Sequence, residues 1–224
     1  MIARNVADQR AEGTALGNLE NAHYSLGEYG RAIEYHEKAL VIDREIGDRR
    51  AEGHDLGNLG VAYADSGDYR RAIEYQEQRL AIARAMGDRQ AEGQALGNLG
   101  IAHRSLGDHH RAIEYHEGAL AINREIGDRW GEGRDLGNLG YVYAELGETC
   151  RAIEYYDQTL GIAREIGDRR SEGNTLGNLS LVLDKLGDRK RAIEHAEASL
   201  KIREQIEDPN AAMVRKQLDI WRNG

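Results

Sequence analysis

The sequence predicts an all-α fold, a right-handed superhelical solenoid of stacked antiparallel helix pairs, and three observations carry that prediction. The first is a repeat: Leu-Gly-Asn-Leu recurs at 16–19, 56–59, 96–99, 136–139 and 176–179, each copy 40 residues after the last. The second is that other blocks keep the same offset. Arg-Ala-Ile-Glu starts at Arg31, Arg71, Arg111, Arg151 and Arg191, and Ile-Gly-Asp-Arg starts at Ile46, Ile126 and Ile166, with Met86 in the remaining copy. The third is composition: a single proline, no phenylalanine and abundant Ala, Leu, Arg and Glu favour helix throughout. Self-similarity at a period of a few tens of residues means supersecondary units that bury a shared core by stacking.

Each element follows from local signals. Residues 1–7 align with the end of a unit, so they read as the tail of a preceding second helix. Five repeats follow, at 8–47, 48–87, 88–127, 128–167 and 168–207, in one solenoid spanning 1–224. Within 48–87, Asp48 is an N-cap, and apolar residues then fall at Ala51, Leu56, Leu59, Ala62 and Tyr63 with helical spacing. Gly67 stops that helix and Asp68 caps the next, which carries Tyr69, Ala72, Ile73, Tyr75, Leu80, Ile82 and Ala83. Gly87-Asp88 then opens the next unit. After the fifth repeat the register breaks at Glu207-Asp208-Pro209-Asn210. Asp208 as cap and Pro209 at the first helical position predict a capping helix over 208–224, packed through Ala212, Val214, Leu218 and Trp221.

The pattern Leu59-Gly60, Ala62-Tyr63, Gly67-Asp68-Tyr69, Ala72-Ile73 and Leu80 resembles the tetratricopeptide repeat, or TPR. The usual unit has about 34 residues and a proline near its end; here the unit runs to 40 and a continued helix replaces the proline. The longer form, with Leu-Gly-Asn-Leu-Gly and a closing Gly-Asp-Arg, resembles the Pins/LGN class of adaptors. Similar runs occur in sensor regions of large bacterial signalling proteins. The resemblance implies a non-catalytic protein-interaction module whose inner groove takes an extended, acidic peptide.

Helical spacing lists the inner face. In the second unit it runs Arg50, His54, Asn58, Val61 and Asp65. Asn18, Asn58, Asn98, Asn138 and Asn178 form an unbroken row, although asparagine is a poor residue for a helix interior. An amide offers both donor and acceptor, so such a row suits a peptide backbone; alternatively each asparagine stitches neighbouring helices. Around the row, positions vary from unit to unit. Arg50, Arg134 and Arg170, with His54, suit acidic side chains, while Trp130 and Tyr141 suit apolar anchors. The glycines need an explanation, since Gly53, Gly57 and Gly60 each cost about 0.5–1 kcal/mol in a helix. Close backbone approach is expected at Gly53 and Gly60, and space for a ligand backbone at Gly57.

Other classes of function are disfavoured. A formal charge of -9 argues against nucleic acid. Cys150 is the sole cysteine, so no internal disulfide or cysteine-rich metal site forms. No apolar run suggests a membrane span or secretory leader, which points to the cytoplasm. His103, His109, His110 and His116 read as packing substitutes rather than metal ligands, and Leu-Gly-Asn-Leu-Gly lacks the Gly-Lys-Ser/Thr of a phosphate loop. No catalytic constellation is present and no cofactor is called for. Two alternatives to peptide binding are homo-oligomerisation, by self-stacking through the open N-terminal face, and a regulatory segment of a larger signalling protein.

Overall fold

The computed structural model describes residues 8–9, 12–13, 15–17 and 28–223. The predicted tail at 1–7, and with it the open N-terminal face, lies outside the described residues. Among the described residues ten helices follow one another: α1 (Tyr29–Ile46), α2 (Arg49–Asp65), α3 (Tyr69–Met86), α4 (Arg89–Ser105), α5 (His109–Ile126), α6 (Arg129–Glu145), α7 (Thr149–Glu165), α8 (Arg169–Lys185), α9 (Arg189–Gln205) and α10 (Ala211–Asn223). The fold is all-α, built from consecutive antiparallel helix pairs.

The turns behave as the repeat demands. Gly47, Gly67, Gly87, Gly107, Gly127, Gly147, Gly167 and Gly187 all hold φ between 69° and 90°, where a Cβ is disfavoured. The following aspartates cap: Asp48, Asp88, Asp128 and Asp168 each accept the N–H three residues on, over 2.9–3.1 Å. Glu28 and Glu148, one methylene longer, make no such bond.

The chain forms two compact units, Met1–Ile122 and Asn123–Gly224. In the first, Leu40, Leu56, Leu59, Tyr63 and Ile82 make one apolar cluster and Leu80, Leu96, Leu99, Ala119 and Ile122 another. In the second, Leu183, Ala192 and Ala196 pack against Leu218 and Trp221 of α10, so the last helix covers the final pair. Two details of that helix differ from expectation. Regular helix begins at Ala211, two residues late, because buried Asp208 is held by Arg203 at 2.6 Å and by the N–H of Asn210 at 2.8 Å. Ala212 faces solvent, since the apolar stripe runs through Leu218 and Trp221.

The helix glycines make room for side chains, not for backbone. A Cβ on Gly100 would come within 2.6 Å of the His116 ring, and one on Gly140 within 2.8 Å of the Tyr156 ring. The partner helix therefore lays a large buried side chain across each glycine. Where the register carries Ser180, its counterpart shrinks to Ala196. His103 takes a tyrosine's place as expected: it stacks on Tyr115 at 5.1 Å, as Tyr63 does on Tyr75 and Tyr143 on Tyr155 at 5.3 Å.

Candidate functional site

A charged clamp joins each second helix to the next first helix. Glu52, Glu92, Glu132 and Glu172 are buried and each is gripped from two sides: Arg44 and Arg49, Arg84 and Arg89, Arg124 and Arg129, Arg164 and Arg169. Burial pushes the Glu92 carboxyl up, but hydrogen bonds from Arg84 and Arg89 outweigh it and hold the group below the usual glutamate range. Reading for apolar periodicity passed over these glutamates. Their signal was present all the same, in a Glu-Gly pair at the same place in every unit.

Between clamps, each of the two compact units holds a cavity at the same register. In the first unit Arg50 and His54 of α2, Arg79 and Ile82 of α3, and Gln90 and Gln94 of α4 line a cavity of about 250 Å³. Arg79 donates to Gln94 Oε1 over 2.6 Å. In the second compact unit Trp130 and Arg134 of α6, Ile162 of α7 with Ile166 just past its end, and Ser171 of α8 line one of about 120 Å³. Trp130 is 59 % exposed and lies 5.5 Å beneath the Arg134 guanidinium. The two linings sit 80 residues apart in register yet differ in character: the first combines arginines with two glutamines, the second sets one arginine over an indole ring.

A third cavity, about 160 Å³, lies between α6 and α8 and is lined by Tyr141, Glu145, Asn178, Leu181 and Lys185, with Tyr156 beside them. Of the residues singled out by helical spacing, this cavity brings together Tyr141 and Asn178.

The asparagine row is less uniform. Asn18 lies outside the described residues, Asn98 is half-buried, and Asn58 Nδ2 donates to His54 Nδ1 over 3.2 Å within its own helix. Asn138 Nδ2 and Arg134 Nε, one turn apart on α6, are buried donors without a protein acceptor. Arg170 is exposed on α8 and lines neither cavity of its unit. Stitching of backbone falls to other side chains: Gln76 donates to the Gly57 carbonyl at 2.9 Å and Ser199 to the Gly173 carbonyl at 2.7 Å. Gly57 leaves no opening for a ligand backbone. Arg79 lies across it, with Cδ 2.9 Å from where a Cβ would stand.

No group of three or more His, Cys, Asp or Glu side chains able to hold a metal occurs among the described residues, where Cys150 is exposed. No described helix is long and apolar enough to cross a membrane.

A constant frame presenting variable side chains defines a helical-repeat scaffold of the protein-interaction kind. The family model described as tetratricopeptide repeat matches residues 2–85, 92–165 and 135–205, and the chain belongs to that family. No curated protein matches the sequence. Among solved structures, the chain is similar to a signal-transduction ATPase with numerous domains (STAND) carrying a TPR sensor, from Pyrococcus horikoshii. That match has 20% identity and a TM-score of 0.84 and covers 95% of this chain, which spans 33% of that protein. BtubC from P. vanneervenii matches at 19% identity and TM-score 0.77, over 90% of this chain and 91% of that one. A Rap protein complexed with Competence and Sporulation Factor matches at 19% identity and TM-score 0.69, over 99% and 66%. These likenesses establish the fold.

Proposed function

We propose that the protein is a cytoplasmic, non-catalytic adaptor of the Pins/LGN-like kind whose inner helix faces bind an extended, acidic segment of another protein. The observation that carries this reading is the constant frame around changing linings. Clamp, caps and glycines repeat, while Arg50, His54, Trp130, Arg134, Tyr141 and Asn178, all inner-face positions, line cavities. Arg50, Arg79 and His54 suit a carboxylate in the first unit, and Trp130 with Ile162 and Ile166 suits an apolar side chain in the second. Asn58, Asn98, Asn138, Asn178 and Arg170 extend the surface offered to a ligand, and the Rap complex supports ligand binding on this scaffold.

Trp130 provides the readout, because the other tryptophan, Trp221, is buried. Titration with a panel of extended peptides graded in acidic content is expected to shift Trp130 emission for the acidic, apolar-containing members alone. Equal response to neutral and basic peptides refutes the reading. The likeness to a STAND sensor favours a second one, a sensing segment within a larger signalling protein. The flanking coding sequence tests it: a nucleotide-binding motif there supports it.

A further inference from the structure

Trp130, Tyr141 and Leu181 are large apolar side chains that stand exposed in the second compact unit, by 59 %, 41 % and 49 %. Tyr141 follows Trp130 by eleven positions on α6. That interval is three turns of helix to within about 20°, so the two rings share a face and lie about 16 Å apart along the axis. Leu181 of α8 holds the register of Tyr141, and the two line one cavity. Exposed apolar groups gathered in this way mark a surface that another molecule covers.

The cavity, about 160 Å³, is walled mainly by carbon: Tyr141, Ala144, Leu181 and Val182, with the Tyr156 ring that lies over Gly140. In the first compact unit the corresponding ring is replaced by Gln76, whose amide is used on the Gly57 carbonyl. Charge near the patch is cationic where it is free. Arg170 and Lys185 are exposed on α8 and enter no ion pair among the described residues. Asp135 already accepts from the Asn123 amide at 2.7 Å, and Asp168 from the Ser171 N–H at 2.9 Å. Glu145 is the one carboxylate lining the cavity. Between the two rings, Arg134 Nε and Asn138 Nδ2 are donors without a protein acceptor. The face therefore suits a chain that brings apolar side chains together with carboxylates and carbonyls.

An extended chain advances about 3.3 Å per residue, so about 16 Å corresponds to about five residues. Resting on the reading that the protein binds an extended acidic segment, we propose that this unit selects the segment by two large apolar side chains about four to six residues apart. One lies against the Trp130 indole and the other enters the Tyr141–Leu181 cavity, while carboxylates beside them meet Arg170 and Lys185.

The test uses the intact chain and synthetic acidic peptides of one length and composition, each carrying two leucines. Their separation is stepped from about two to about twelve residues, which brackets the extended and helical spacings. Calorimetric titration is expected to show an affinity maximum at about four to six residues, on the order of tenfold above the other separations. Leu181→Ser opens the cavity wall and Ala144→Leu fills the cavity; each is expected to erase that maximum. Removing the second leucine from the best peptide costs about tenfold against the parent and little against either variant. An equal loss against all three overturns the proposal, as does a maximum at about eleven residues, the spacing of a helical partner. Binding without a preferred separation overturns the proposal alone. Absence of binding by every peptide overturns both the proposal and the reading beneath it.

Discussion

The cavity of the first compact unit and its counterpart 80 residues on are cut from one template, and they differ in size and in what lines them. Ile82 and Ile162, Ala83 and Ala163, and Asp88 and Asp168 correspond residue for residue. Against that background Arg50 becomes Trp130, His54 becomes Arg134 and Arg79 becomes Thr159. A stacked array thus separates two tasks within a single helix. Positions facing the partner helix are fixed by packing, while those one turn away are free to change charge and size without cost to the stack.

That separation can be broken at its frame. Tyr156→Ala is expected to cost about 4 kcal/mol in urea denaturation, because it empties the space over Gly140. The natural pair Ser180 and Ala196 shows the compensation, so adding Gly140→Ser to Tyr156→Ala should recover part of the loss. The clamp comes next. Glu92→Ala and Glu172→Ala each remove a buried carboxylate from two half-exposed arginines, and each is expected to cost about 2 kcal/mol. Unequal costs would mean that the two frames are not equivalent. For Glu92, whose carboxyl is held low, the contribution fades as pH falls through its depressed pKa.

The linings should respond in binding rather than stability. Arg50→Ala is expected to weaken capture of an acidic peptide about tenfold, or about 1.4 kcal/mol, with a reduced salt dependence. Trp130→Ala should weaken it by a similar factor with the salt dependence intact, and neither should move the melting temperature by more than about 2 °C. Salt-dependence profiles measured by calorimetric titration distinguish the two. The smallest effect lies at the end of the array. Glu207 holds φ at 54° where the register elsewhere has glycine. Glu207→Gly is expected to stabilise the chain by about 0.5 kcal/mol, read from the same urea curves.

Much of this was legible in the letters because the repeat prints the same instruction several times. The Gly-Asp turns and the caps at Asp48, Asp88, Asp128 and Asp168 follow from spacing alone, and Arg50, His54, Trp130, Arg134, Tyr141 and Asn178, picked out by the same spacing, line cavities. Gly57 and Gly60 were misread for a physical reason. A missing side chain shows that something occupies the space, but whether it is backbone, ligand or the partner helix depends on a contact 16–22 residues away. Here it is Arg79 and Gln76.

The sequence by itself determined the helix ends, the pairing of helices and the faces that pack, because those depend on neighbours within a few turns. Only the tertiary structure decided which polar residues meet. Glu92 with Arg84, Gln76 with the Gly57 carbonyl and Asn123 with Asp135 each join different helices, and burial, which alone makes such meetings costly or decisive, is a property of the stack and not of any stretch of chain.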